Sequence, residues 1–83
     1  MEKKIQSDEK RQAIEKAFCE EAEKYPGPAF SREGLAGFLG ISVGYLANLD
    51  SRGEGPEGGY YSGRKKMYLK EPAIRWGIQR VEV

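Results

Sequence analysis

Between Ser31 and Gly53 the chain reads SREGLAGFLGISVGYLANLDSRG, and Gly40-Ile41-Ser42 near its middle restricts the fold more than any other feature. Before this triplet, Leu35, Ala36 and Leu39 recur at helical spacing; after it, Leu46 and Leu49 do the same. So short a break can only be a tight corner. Gly40 can take the left-handed conformation that ends a helix, and the Ser42 hydroxyl can cap the next one. Two short helices joined by such a turn form a helix-turn-helix unit. The first helix, capped by Ser31, is expected over about 32–39 and the second over about 43–51. Small Ala36 suits a close approach of the two, and Ile41 can plug the corner from inside. Gly34 and Gly37 each weaken the first helix by about 1 kcal/mol relative to alanine, so packing must hold it.

Upstream, Ala13, Ile14, Ala17, Phe18, Ala22 and Tyr25 recur at three- and four-residue steps. They predict a helix from about Ser7 or Asp8, following a frayed start over 1–7. Either residue can cap it, and Asp8 and Glu9 suit its positive end. It must stop before Tyr25-Pro26-Gly27-Pro28. Its apolar stripe is narrow and half alanine, which fits packing on the back of the domain or a surface for a second copy or a partner protein. Cys19 lies on that stripe beside Phe18 and reads as a buried, inert thiol rather than a nucleophile.

Downstream, Arg52 to Gly59 is a glycine-rich loop without the GxxxxGK[ST] spacing of a phosphate-cradling loop. Gly59-Tyr60-Tyr61-Ser62, Gly63-Arg64 and Lys65-Lys66-Met67-Tyr68-Leu69 predict two strands around a tight turn, with the cations at the tip. Lys70-Glu71-Pro72 opens a last helix, where proline fits the first turn. Ala73 and Trp76 share a face, with Trp76 as the expected core anchor. Ile78 to Val83 can prolong the helix, or the Val81-Glu82-Val83 alternation can form a short strand.

The 83 residues suffice for one small domain, divided here into an N-terminal helix with a Pro/Gly linker over 1–28 and the body over 29–83. The formal net charge is only +1, but the acids concentrate in Met1 to Lys24 and the stretch Arg64 to Arg80 is mainly basic. A single cysteine permits no internal disulfide, and the absence of histidine removes the commonest general base and metal ligand. With no paired-carboxylate motif and no metal-ligand spacing, neither an enzyme nor a cofactor is expected. No apolar run of membrane-spanning length and no signal-peptide pattern occur, so a cytoplasmic location is expected.

Leu35, Ala36, Leu39, Gly40, Ile41, Ser42, Leu46, Leu49, Arg52, Gly53, Glu54, Gly55 and Pro56, followed by the basic hairpin, resemble the MerR-like winged helix-turn-helix proteins of the AlpA and phage-excisionase type. The resemblance covers about Phe30 to Trp76. It implies a mainly α fold with a small β-hairpin wing, here with an extra N-terminal helix. It also implies sequence-specific binding of double-stranded DNA. The chain would act as an excisionase (a recombination directionality factor) directing an integrase, or as a transcriptional regulator, with several copies on adjacent sites.

On this reading Val43, Gly44, Ala47, Asn48 and Ser51 point into the major groove. Asn48 has base-reading capacity because its amide can donate and accept together against adenine. Tyr45 lies at the edge of that face and can meet a phosphate or a thymine methyl. Ser42 offers its hydroxyl and the helix amino end to a phosphate, and Arg52 is a phosphate clamp. Arg64 is the candidate for insertion into the minor groove, with Lys65 and Lys66 on phosphates. The second helix carries neither lysine nor arginine, which fits weak binding alone and cooperation between neighbours. The competing expectation, drawn from the near-neutral charge, is a protein-interaction module or a phage packaging or replication adaptor that kept the fold with weak or no DNA binding.

Overall fold

Both members of the central helix pair are delimited by their own side chains. The computed structural model describes residues 2–81 and places α2 at Arg32–Leu39 and α3 at Val43–Ser51. Ser31 Oγ accepts from the Gly34 N–H at 3.0 Å, and Ser42 Oγ accepts from the Tyr45 N–H at 3.0 Å. Each helix closes alike: the Ile41 N–H reaches Ala36 O at 3.0 Å, and the Glu54 N–H reaches Leu49 O at 2.9 Å. Both closures are of the Schellman kind, with Gly40 and Gly53 each at φ 73°. No other residue type takes that backbone conformation as cheaply.

The remaining elements are α1 (Glu2–Ala22), β1 (Ala29–Ser31), β2 (Gly59–Ser62), β3 (Lys65–Leu69) and α4 (Lys70–Gln79). The described residues are thus mainly helical, with four helices and one three-stranded antiparallel sheet in the order β1-β3-β2. The hairpin falls where the alternation predicts. The third strand, β1, is not foreseen; it pairs Phe30 with Tyr68 and Ser31 with Met67. Cross-strand partners share a face of the sheet. Phe30 and Tyr68 therefore mark the inner face, and both are fully buried with Leu35, Ala36, Leu46 and Ala73.

Helix α1 departs from the expectation at its start. It begins at Glu2, so Ser7 and Asp8 are interior positions rather than caps, and 2–7 are helical rather than frayed. Its opening Glu-Lys-Lys run consists of good helix formers with no breaker. Among its apolar positions Ala22 is buried, Ile14 and Phe18 are half-buried, and Ala13 and Ala17 face solvent. Cys19 is exposed, contrary to the buried thiol expected, because it flanks the Ile14-Phe18-Ala22 line that turns inward. Phe18 packs the helix against the body, close to Gly77 of α4, and Ala22 joins the core, with an aromatic cluster continuing beyond the helix end. Phe18 meets Phe38 edge-on at 5.6 Å, Tyr25 meets Phe30 at 5.1 Å, and Phe30 stacks on Phe38 at 5.0 Å. Trp76 is also not the buried anchor expected: it is half-buried, and its indole N–H donates to Glu54 O at 3.1 Å. The last helix ends at Gln79, and the strand alternative at its tail falls mostly outside the described residues.

One polar cluster ties α2, α3 and β3 together. Asp50 accepts from Arg32 Nη2 at 3.2 Å and from the Tyr68 hydroxyl, while Arg32 Nε donates to Tyr68 Oη at 3.1 Å. The Arg32 and Asp50 side chains are only 28% and 14% exposed. Gly55 lies against the Asp50 carboxylate, where any Cβ would collide with it. Burial, with the Asp50 hydrogen bond in support, pushes the Tyr68 hydroxyl from 10.0 up to about 12. Arg32 is raised above its usual value chiefly by its hydrogen bond to Tyr68.

Asp50→Asn would leave the half-buried Arg32 without its counter-charge, so a loss of about 1 to 3 kcal/mol is expected in denaturant unfolding. Alkaline pH probes the same cluster. A raised tyrosine stabilises the fold fully below pH 10.0 and loses that contribution as pH climbs towards about 12. The melting temperature of the parent is expected to fall more steeply over that window than that of Tyr68→Phe.

Candidate nucleic-acid interface

With Leu46 and Leu49 buried against the core, helical geometry turns Gly44, Ala47, Asn48 and Ser51 outward, with Val43 beside them. Val43, Gly44, Asn48 and Ser51 are exposed and Ala47 is half-buried. The outward face is polar and small, and Asn48 is its longest hydrogen-bonding side chain. Ser51 Oγ donates back to Asn48 O at 2.8 Å, so that hydroxyl is partly occupied within the helix. Asp50, the one charged residue of α3, is turned to the edge and held by Arg32 and Tyr68.

Tyr45 and Asp50 are five positions apart, about 140° around the helix axis, and so mark opposite edges of the outward face. On the Asp50 edge stands β3. On the Tyr45 edge stands the end of α4, whose Arg80 donates from Nη2 to Tyr45 Oη at 3.1 Å. The Arg80 guanidinium also lies 4.6 Å from the Trp76 ring centre. In the sequence Arg80 is one basic residue among several in a mainly basic stretch. No local pattern marks it, because both of its partners are brought to it by tertiary packing.

Arg52 follows α3 and is exposed, with Nε 3.3 Å from Glu54. An exposed pair of this kind is weak enough for a phosphate to displace. Ser42 is exposed and engaged in capping through its oxygen.

The cationic run at the hairpin does not form one patch. Arg64 sits in the turn, and Lys65 and Lys66 point to opposite faces of β3, as strand geometry requires. Lys66 shares the inner face with Tyr68 and with its cross-strand partner Tyr61. Its ammonium lies 5.0 Å from the Tyr61 ring centre and 5.9 Å from that of Tyr68. Lys65 pairs with Ser62 on the outer face. Tyr61 is 66% exposed, the most open of the large hydrophobic residues among those described. The sequence marks it only as a strand residue. Lys70, the next cation along, is spent on structure: its ammonium donates to Tyr25 O.

The eleven residues singled out from sequence therefore fall into three groups. Ser42, Val43, Gly44, Tyr45, Ala47, Asn48 and Ser51 share one helix; Arg52 stands at its end; Arg64, Lys65 and Lys66 lie on the hairpin. Among the described residues no helix is long and apolar enough to cross a membrane. Compared with known protein families, curated proteins and solved structures, the chain finds no match in any of the three.

Because the Ser42 oxygen is the cap that fixes the first turn of α3, Ser42→Ala is expected to lower stability by about 1 kcal/mol in thermal or denaturant unfolding.

Proposed function

We propose that this chain binds double-stranded DNA as a small winged helix-turn-helix protein, with α3 in the major groove and the β2–β3 hairpin along the minor groove. The observation that carries the reading is the outward face of α3. It is a nine-residue helix held at both ends, and it presents Val43, Gly44, Asn48 and Ser51 to solvent without covering protein. Small side chains let a helix approach base edges closely, and Asn48 supplies a donor and an acceptor in one plane. The cations of the hairpin and Arg52 supply the sequence-independent attraction to phosphate. The likeness of residues 30–76 to AlpA-type regulators and phage excisionases supports the same assignment. It extends it to excision or promoter control by several copies, with an integrase as a partner in the former case.

A second reading is favoured by a specific observation: α3 carries no lysine or arginine, and the formal net charge of the chain is only +1. On that reading the same exposed helix face docks a protein, as an adaptor would.

Fluorescence anisotropy with a random-sequence duplex at two salt concentrations separates the two. DNA binding is expected to weaken steeply as salt rises. Replacing Arg64, Lys65 and Lys66 together by alanine is expected to weaken it by roughly 10-fold on every duplex and to lower the salt slope by about 1 to 2, since Lys65 and Lys66 on opposite strand faces do not meet phosphates together. Asn48→Ala is expected to change preference among sequences more than overall affinity. No salt-sensitive binding by the parent protein would leave the adaptor reading in possession.

A further inference from the structure

We infer that Arg80, together with the Tyr45 hydroxyl, forms a phosphodiester-binding site on the edge of α3 opposite the hairpin. The inference rests on the DNA-binding reading of α3 and adds a second wall to it. A helix lying in the major groove, about 12 Å wide, has a sugar-phosphate strand along each side. The strand that carries Lys65 and Lys66 meets α3 at its Asp50 edge, through Tyr68. Since α3 has no cation of its own, any charge facing the other strand must come from a neighbouring element. The end of α4 brings one there.

The manner in which Arg80 is held separates it from the other arginines near α3. Arg32 and Arg52 each face a carboxylate, at 3.2 Å and 3.3 Å. Arg80 is oriented by two aromatic side chains, the Tyr45 oxygen at 3.1 Å and the Trp76 ring at 4.6 Å. Neither neutralises its charge. Trp76 is itself fixed by its bond to Glu54 O, in the loop that leaves α3, so the guanidinium plane is set relative to that helix. A planar, pre-oriented guanidinium matches two phosphate oxygens at once. The Tyr45 oxygen uses a lone pair to accept from Arg80, which leaves the hydroxyl hydrogen as a donor. Guanidinium and hydroxyl thus present donors side by side on an exposed surface, a pairing suited to a singly charged phosphodiester.

The test is the same anisotropy titration with a random-sequence duplex, across a salt series, for parent, Arg80→Gln, Arg80→Lys and Tyr45→Phe. Arg80→Gln is expected to weaken binding about 5- to 10-fold and to lower the salt slope by about 1. Arg80→Lys is expected to keep the slope and lose about 2- to 3-fold, because an ammonium retains the charge but not the planar fork. Tyr45→Phe is expected to lose about 2- to 3-fold with the slope unchanged, since it removes a neutral donor. Circular dichroism confirms that each variant is folded; if Arg80→Gln is not, Tyr45→Phe and Arg80→Lys decide. Arg80→Gln binding with parental affinity and slope, while the triple hairpin variant is weakened, overturns the Arg80 site and leaves DNA binding standing. A parent that does not bind the duplex overturns both.

Discussion

The Arg32–Asp50–Tyr68 cluster is the interaction on which the geometry of this protein depends. Each of its three residues comes from a different element, α2, α3 and β3. The apolar contacts of Leu35, Leu46 and Ala73 are non-directional and would tolerate some rotation of α3 about its axis. A carboxylate that accepts from a guanidinium and a phenol is not so tolerant, because its bonds weaken steeply with angle. The cluster therefore sets which residues of α3 face inward and, by the geometry of a helix, which face out. Gly55 completes it: the loop after α3 can cross the Asp50 carboxylate only where no Cβ intrudes.

That arrangement separates charge from the outward face of α3. The outward residues of α3 are small or neutral, while the cations around it belong to the following loop, the hairpin and the end of α4. On the proposed reading, affinity and base discrimination then reside in different elements and can be altered independently. Sequence specificity would depend on Asn48 and the shape of the helix face. The salt-dependent part would depend on Arg52, Arg64, Lys65, Lys66 and Arg80, which touch no base edge through α3 itself.

Much of this could be read from the chain because much of it is local. Gly40, Ser42 and Ser31 announce the corner and the caps through neighbours within a few residues, and the tyrosine-rich strands around Gly63-Arg64 announce the hairpin. The outward face of α3 followed from Leu46 and Leu49 alone. What escaped has partners distant in sequence. Three residues are too short to display alternation, so β1 was invisible. Arg80 finds Tyr45 and Trp76 only after α4 packs beside α3. Cys19 and Trp76 were misplaced for a related reason: an apolar neighbour in sequence does not reveal how deep a narrow stripe sinks. Asp50 lies in the last turn of its helix, where the macrodipole disfavours an acid, and such a residue calls for a cation elsewhere.

The strand order β1-β3-β2 carries a thermodynamic asymmetry. Joining β2 to β3 closes only the Gly63-Arg64 turn, a small loss of chain freedom. Joining β1 to β3 encloses α2, α3 and the loop beyond them, so the pairing of Ala29 with Leu69 carries the closure entropy of that whole span unless the helices are already in place. The three residues of β1 thereby act as a seal on a finished structure. Any disturbance that loosens the helix pair is felt at the far margin of the sheet, while the hairpin can open at its tip without disturbing the interior.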